Sequence, residues 1–340
     1  MKIAAVIVTY NRKNLLMECL SALAQQYRKP DYVYIFDNAS TDGTMDILKK
    51  KCFVCHAQNK VFNDEQVNAS IYCFDYDQEG LRLSGQYIRS VDNVGGAGGF
   101  YAGIKMAVYD GFDWVFVMDD DAEPSPEALQ IMDLFLINNT SKENIAAIAC
   151  KKVDHTGQIE RIHRGLFIPF LLCTWPMPER RYKEKMLSID YSSFVGLMIS
   201  SKAVASAGWP RKDFFIYCDD VEYCLRLRSY GPIYLIPSAE IVHKDKLHSV
   251  SSSKSDIDID IYWKRYFGIR NLTFLAKEHF KTGVIRSLFL IFFPRAIKTV
   301  FTQSFVRLKL EILWKGWKDG LSRNFDQDPH LLREFIKRKK

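Results

Sequence analysis

Ile3–Thr9 is an unbroken apolar run in which five of seven residues are β-branched. Such a run belongs to a strand covered on both faces, which in practice means the inside of a parallel sheet. The residues that follow keep to that pattern. Leu15, Leu16, Cys19, Leu20 and Leu23 repeat at helical spacing and residues 32–36 form a second strand, so the chain opens as strand, helix, strand. The same rhythm predicts a strand over 87–91, a helix over 100–109, a strand over 114–118 and a helix opened by Ser125-Pro126, and it runs to about Val153. It resumes with a strand over 194–200, helices over 202–207 and 219–229, and short strands over 233–236 and 241–243. Residues 52–86 fit poorly and read as an insertion; residues 154–190 read as irregular. The expected fold class is α/β, Rossmann-like, with a mostly parallel sheet. Residues 249–254 are a polar, Ser-rich joint and only helical patterns follow. The expected organisation is therefore a catalytic domain over 1–255 and a basic helical region over 256–340.

Charge separates the same two parts. Residues 261–340 hold 18 Lys/Arg against 6 Asp/Glu, a net +12, while the first 260 residues hold 29 against 34, a net −5. The tail is thus suited to an anionic surface. Its cations (Arg286, Arg295, Lys298, Arg307, Lys309, Lys315, Lys318) alternate with Leu288 to Phe293, Phe301, Phe305, Trp314 and Trp317, the pattern of helices lying in a membrane interface. A basic helical cap or a homo-oligomer contact is the alternative. The longest apolar run ends at Pro294 and is too short to cross a bilayer. Met1 runs straight into a strand and eight cysteines are scattered, so a reducing cytoplasm is expected rather than a disulfide scaffold.

Four motifs carry chemistry. Asp119-Asp120-Asp121 closes the 114–118 strand, where open α/β sheets bind ligands. Three adjacent carboxylates repel one another, and Mg²⁺ or Mn²⁺ carrying a diphosphate relieves the repulsion; a solvated helix cap is the plainer reading. Asp92-Asn93-Val-Gly95-Gly96-Ala-Gly98-Gly99 precedes the next helix and suits close backbone approach to a ligand or a flexible turn. It is neither a dinucleotide fingerprint nor a P-loop. Asp219, Asp220 and Glu222 open a helix, where acids cap as readily as they act as bases. His243 ends a short strand and is either structural or the nitrogen of a mixed N/O metal site leaning toward Mn²⁺. Cys52-Phe-Val-Cys55-His56 matches a haem-attachment spacing, a misleading one without an export signal, and with Cys73 would make an irregular zinc knuckle; buried or idle thiols are the plainer reading.

In this order the motifs resemble inverting family-2 glycosyltransferases of the GT-A fold. Val8-Thr9-Tyr10-Asn11-Arg12 and Phe36-Asp37-Asn38 look like that family's nucleotide pocket, 119–121 like its Asp-x-Asp motif, and Asp219-Asp220 like its paired acids. The glycine run, triple Asp and Asp-Asp-x-Glu are together most similar to galactofuranosyltransferases and their rhamnosyltransferase relatives. The resemblance implies a UDP- or dTDP-sugar donor with Asp37 near the base. Thr9, Arg12, Asn93, Gly95, Gly96 and Asp120 would line the donor site, and Asp119, Asp121 and His243 would hold Mn²⁺ or Mg²⁺. It implies Asp220 as catalytic base, with Asp219 and Glu222 on sugar or acceptor hydroxyls. The expected product is cell-surface polysaccharide, made on a glycan or polyprenyl-linked acceptor by an enzyme peripheral on the inner face of the membrane. Three rivals remain: a silent nucleotide-sugar-binding scaffold, a nucleic-acid binder, for which no recognition motif accompanies the charge, and a nucleotidyltransferase, whose Gly-rich basic signature is absent from 8–12.

Overall fold

The computed structural model describes residues 1–55, 61–64, 67–78, 80–139, 144–244, 259–302 and 304–339. Its contacts divide the chain into two compact units, Met1–Leu166 with Trp175–Lys212 and Tyr223–Asp245, and Phe167–Thr174 with Asp213–Glu222 and Lys246–Lys340. The Ser-rich joint lies outside the described residues.

The first unit opens with β1 (Ile3–Thr9), α1 (Lys13–Ala24), β2 (Tyr32–Asp37) and α2 (Thr44–Lys51). Four strands follow, β3 (Cys52–Cys55), β4 (Val61–Asp64), β5 (Val67–Gln78) and β6 (Leu81–Ser90), and then α3 (Gly95–Tyr109). After β7 (Trp114–Asp119), β8 (Ala122–Pro124), α4 (Ala128–Asn139) and β9 (Ala147–Val153) come the short strands β10 (Arg164–Ile168), β11 (Cys173–Pro176), β12 (Leu187–Ile189) and β13 (Tyr191–Ser192). The last elements before the tail are β14 (Leu197–Ser200), α5 (Ser201–Ala207), α6 (Asp219–Leu227) and β15 (Ile233–His243).

The main sheet runs β12-β15-β9-β14-β7-β1-β2-β6-β5-β3. Its centre, β7-β1-β2-β6, is parallel, as the buried runs predict. Along β1 alternate residues serve opposite faces. Ile3, Ala5 and Ile7 join Leu16, Leu20 and Leu23 of α1 and Met132 and Leu136 of α4 in one core. Val6 and Val8 meet α3 at Gly103 and Gly99, where an added Cβ would fall 2.3 Å and 2.7 Å from their Cγ1 atoms. The glycines are thus what brings α3 down onto the sheet.

Several expectations are corrected. The described residues of 52–86 are mostly sheet rather than an insertion of unknown shape: β6 is the third parallel strand, and β5 pairs antiparallel with it along ten residue pairs. The helix expected at Phe100 starts at Gly95, so the glycine run is its first turns. The two short strands near 233–243 are one, β15, broken by a bulge between Ile236 and Glu240.

The second unit holds α7 (Ile259–His279), α8 (Gly283–Arg286), a π-helical turn over Ser287–Phe292, α9 (Phe293–Thr302), α10 (Val306–Ser322) and α11 (Pro329–Lys339). Tyr262, Tyr266, Phe267, Leu308, Ile312, Leu313, Leu332 and Ile336 form its core. Gly316 of α10 lies against the backbone of α7, where a Cβ would be 2.7 Å from the Tyr266 carbonyl oxygen.

Candidate active site

Parallel register brings three strand ends side by side. Thr9 pairs with Asp37 and Val8 with Asp119, so β1, β2 and β7 present their polar carboxyl-terminal residues along one edge, the ligand edge of an open α/β sheet.

Asp120 and Asp121 are each 2% exposed. Thr9 Oγ1 donates to Asp120 Oδ2 at 2.6 Å. Arg12 Nη1 lies 3.4 Å from Asp120 Oδ1 and pairs closely with the Asp121 carboxylate. His243 reaches the same group because β15 pairs antiparallel with β8, setting His243 opposite Ala122; its Nε2 lies 3.1 Å from Asp121 Oδ1. Burial first, then the charge of Asp121, pushes Asp119 up to about 6. Burial also lifts Asp120 to about 7 against the Thr9 hydrogen bond and the Arg12 charge. At Asp121 burial works in the same direction, yet the adjacent His243 and Arg12 outweigh it and hold that carboxyl below its ordinary range. The cluster therefore stores repulsion that a cation would relieve.

Asp119, Asp121 and His243 offer ligand atoms that all lie within 4.8 Å of one another. Buried Asp121 Oδ1 faces His243 Nε2 at 3.1 Å without a well-directed hydrogen bond. Two carboxylate oxygens and an imidazole nitrogen fit Mn²⁺ or Mg²⁺, with coordination positions left for phosphate oxygens and water.

The neighbouring wall is built on β2. Asp37 is fully buried, accepts from Ser40 N at 2.9 Å and from the Tyr87 hydroxyl of β6. Asn38 Nδ2 donates to the Gly95 carbonyl at 3.2 Å, and Asn93 Oδ1 accepts from Gly95 N at 2.9 Å, which fixes the entry into α3. A Cβ at Gly96 would meet nothing within 4 Å, so its backbone faces open space.

In the second unit Asp219, Asp220 and Glu222 fall in the first turn of α6. Asp220 Oδ1 accepts from Val221 N at 2.7 Å. Glu222 is 3% exposed and its Oε1 lies 3.7 Å from His279 Nε2.

Sequence reasoning missed the residues behind His243. Asp154 and Gly157 turn the chain so that Glu160 N meets the Lys152 carbonyl at 3.0 Å. Lys152, 1% exposed, places Nζ 3.1 Å from Glu160 Oε2, which itself lies 3.9 Å from His243 Nδ1 and from His163 Nε2. Burial, then the nearby Lys152 and Arg164, pushes His163 down to about 2. The Asp-x-x-Gly turn was the available signal. Of the proposed zinc knuckle, His56 lies outside the described residues. Cys52 is a buried thiol that burial lifts to about 11, and β3 pairs Cys55 with Cys73 in register.

The family description "Glycosyl transferase family 2" matches residues 4–66 and 75–198. The chain is 26% identical over 281 residues to galactofuranosyltransferase GlfT1 of Mycolicibacterium smegmatis, covering 81% of this chain and 83% of that protein. It is 24% identical over 283 residues to the dTDP-rhamnosyl transferase RfbF of Shigella flexneri, covering 82% and 80%. Among solved structures, GalNAc-T7 with UDP, GalNAc and Mn²⁺ superposes with a TM-score of 0.57 at 10% identity, over 95% of this chain and 56% of that one; this is a likeness of fold, of the GT-A kind. With its family match spanning more than half its length, the chain belongs to glycosyl transferase family 2 and is a glycosyltransferase.

Proposed function

We propose that the chain transfers galactofuranose from UDP-galactofuranose, with inversion, to a glycan or polyprenyl-linked glycan acceptor in cell-surface polysaccharide synthesis. The observation that carries this reading is the convergence of Asp119, Asp121 and His243 beside Thr9 and Arg12. The similarity to GlfT1 supports the donor; a second reading, dTDP-rhamnose, is favoured by the similarity to RfbF.

Asp119, Asp121 and His243 would hold Mn²⁺ or Mg²⁺. When bound, that ion supplies positive charge to the departing diphosphate. Thr9 and Asp37 line the nucleotide site, with Asp37 aimed by Tyr87 and Ser40. Arg12 is 42% exposed while its carboxylate partners are buried, so the guanidinium is the member of the pair that meets an incoming diphosphate. Asn93, Gly95 and Gly96 present backbone to the donor, and Asp120 holds Thr9 and Arg12 in place. Asp220 is the base that takes the proton of the attacking acceptor hydroxyl, while Asp219 and Glu222 accept from sugar hydroxyls.

The acceptor reading draws on the tail. Residues 279–310 carry six Lys/Arg and no Asp/Glu. Along the helical rod from Gly283 to Thr302, Ile285, Phe289, Phe293, Ile297 and Phe301 recur every four residues, and all are exposed, Phe301 at 81%. A four-residue repeat drifts about 40° a step around an α-helix; the wider π turn over Ser287–Phe292 takes back part of that drift. An apolar stripe flanked by cations, with Glu311 of α10 as an acid at its border, fits an anionic lipid surface. No helix among the described residues is long and apolar enough to cross a membrane. The proposed location is the cytoplasmic face, peripherally bound.

The test is a donor screen of UDP-galactofuranose, UDP-galactopyranose, UDP-glucose and dTDP-rhamnose, with Mn²⁺ and with chelator, scoring hydrolysis and transfer. UDP-galactofuranose should be preferred and chelator should abolish turnover. Asp220→Asn should lower kcat by about 10²–10⁴-fold with UDP binding retained. Preference for dTDP-rhamnose would move the assignment to the second reading.

A further inference from the structure

The acids of α6 are reached through backbone that side chains with a Cβ avoid. Phe215, Tyr217 and Cys218 have φ of +63°, +71° and +65°, in the left-handed region where non-glycine residues are uncommon and aromatic ones rare. A segment of this kind persists only where its surroundings over-determine it. Here two consecutive residues of α7 supply the surroundings. Arg270 and Asn271 are both fully buried. The Asn271 side-chain amide donates to the carbonyls of Phe214, Ile216 and Tyr217 at 3.0, 3.0 and 2.8 Å. Arg270 Nη2 donates to those of Asp213 and Phe214 at 2.9 and 3.0 Å. Arg270 Nε also donates to Asn271 Oδ1 at 2.9 Å, which fixes the orientation of the amide. Rings close the rest: Phe215 packs on Phe267, Phe214 on Phe274 and Phe325, and the Arg270 guanidinium lies 4.8 Å from the Phe267 and Phe325 ring centres.

We propose that Arg270 and Asn271 are positioning residues for catalysis: they hold the 213–218 segment with Phe215, Tyr217 and Cys218 left-handed and so set the direction in which Asp219 and Asp220 emerge. This rests on the reading of Asp220 as base. The carbonyls of Asp213, Phe214, Ile216 and Tyr217 all accept from α7, Phe214 also accepting from Ile216 N at 2.7 Å, and the two N–H bonds of one amide are shared among three of them. Without it the residues relax toward φ < 0, and the carboxylates of α6 turn away from their working position while the nucleotide residues of β1 and β2 are untouched.

The experiment measures kcat, donor KM and UDP–Mn²⁺ affinity for Asn271→Ala, for Asn271→Ala/Cys218→Gly and for Asp220→Asn. Asn271→Ala should lose about tenfold or more in kcat, as expected of a misplaced catalytic group, with UDP affinity within about twofold of the native value. Cys218→Gly should restore part of that kcat, because glycine adopts a positive φ at no steric cost. A merely structural role would not give that rescue or separate kcat from UDP binding. Native kcat in folded Asn271→Ala overturns the proposal, as does loss of kcat and UDP affinity together without rescue. If Asn271→Ala does not fold, Asn271→Ser, which keeps one donor, should show a partial kcat loss with native UDP affinity. Failure of both to fold, even with Cys218→Gly, would make the pair a folding element and overturn the catalytic role. Turnover surviving in Asp220→Asn would instead remove the base assignment, whatever Asn271 does.

Discussion

Thr9 and Arg12 each touch the acidic cluster of 119–121 from the first strand and its loop, so the residues read as a nucleotide wall and those read as metal ligands form one electrostatic unit. Asp120 and Asp121 are buried and Asp119 is half-buried, and Arg12 offsets only part of their charge. His243 is the one nitrogen among the three candidate ligands, and its effect on metal choice is separable. Imidazole suits Mn²⁺ better than Mg²⁺, so His243→Ala should weaken Mn²⁺ binding tenfold or more on the scale of about 10–100-fold seen when ligand support is lost, and Mg²⁺ binding much less. Titrating both ions into the UDP-loaded protein by calorimetry checks this; unchanged affinity for both ions would show that His243 is no ligand, and equal losses would remove its preference for Mn²⁺. The triple Asp was legible because it directly follows a buried strand. Glu160 and Lys152 were not, since nothing local announces that a turn at 154–157 will fold a carboxylate against a lysine under His243.

At the scale of elements, the glycine run before Phe100 is the start of α3 rather than a loop. Glycines at 95, 96, 98 and 99 suggested a ligand loop, yet they are helical, and Gly99 with Gly103 meets the sheet at distances no Cβ could occupy. Gly103→Val should cost about 1–3 kcal/mol by overpacking against Val6, with little recovered from helix propensity because valine is β-branched. Urea unfolding should show a lower midpoint at unchanged slope, and adding Val6→Ala should return part of the loss. The strands of 52–86 were obscured for a different reason. In β5 the buried positions include Val67, Ala69 and Ile71 and the exposed ones Asn68 and Ser70, a period-two pattern carried partly by a small residue, so it reads as polar chain. Antiparallel strands with one wet face give that weaker signal, whereas β1 and β7, covered on both faces, were plain.

For the whole molecule, the charge asymmetry is the property with the most direct consequence. The last 80 residues carry a net +12, and the exposed stripe on α8, the π turn and α9 gives that charge an apolar partner. Several cations at about 1 kcal/mol each near an anionic surface and a row of aromatic and aliphatic side chains should give reversible binding. The protein should co-sediment with vesicles containing phosphatidylglycerol and far less with phosphatidylcholine alone, and high salt should reduce retention. Phe289→Ser/Phe301→Ser should lower retention at least tenfold without changing turnover of a soluble donor. A concentration-dependent dimer in light scattering, with no vesicle binding, would assign the stripe to a second copy instead.

Hydrophobic periodicity and residue order alone determined the parallel α/β core, the placing of acids at a strand end and the basic helical tail, because burial on two faces, on one face or on none writes directly into the pattern of side chains. Only the tertiary structure decided that His243 and Asp121 would be neighbours, that the glycine run would be a packing surface, and that Arg270 and Asn271 would grip the turn before Asp219. Each of these joins residues distant along the chain through backbone carbonyls, strand register or close contact, and such partners leave no periodic trace in a sequence.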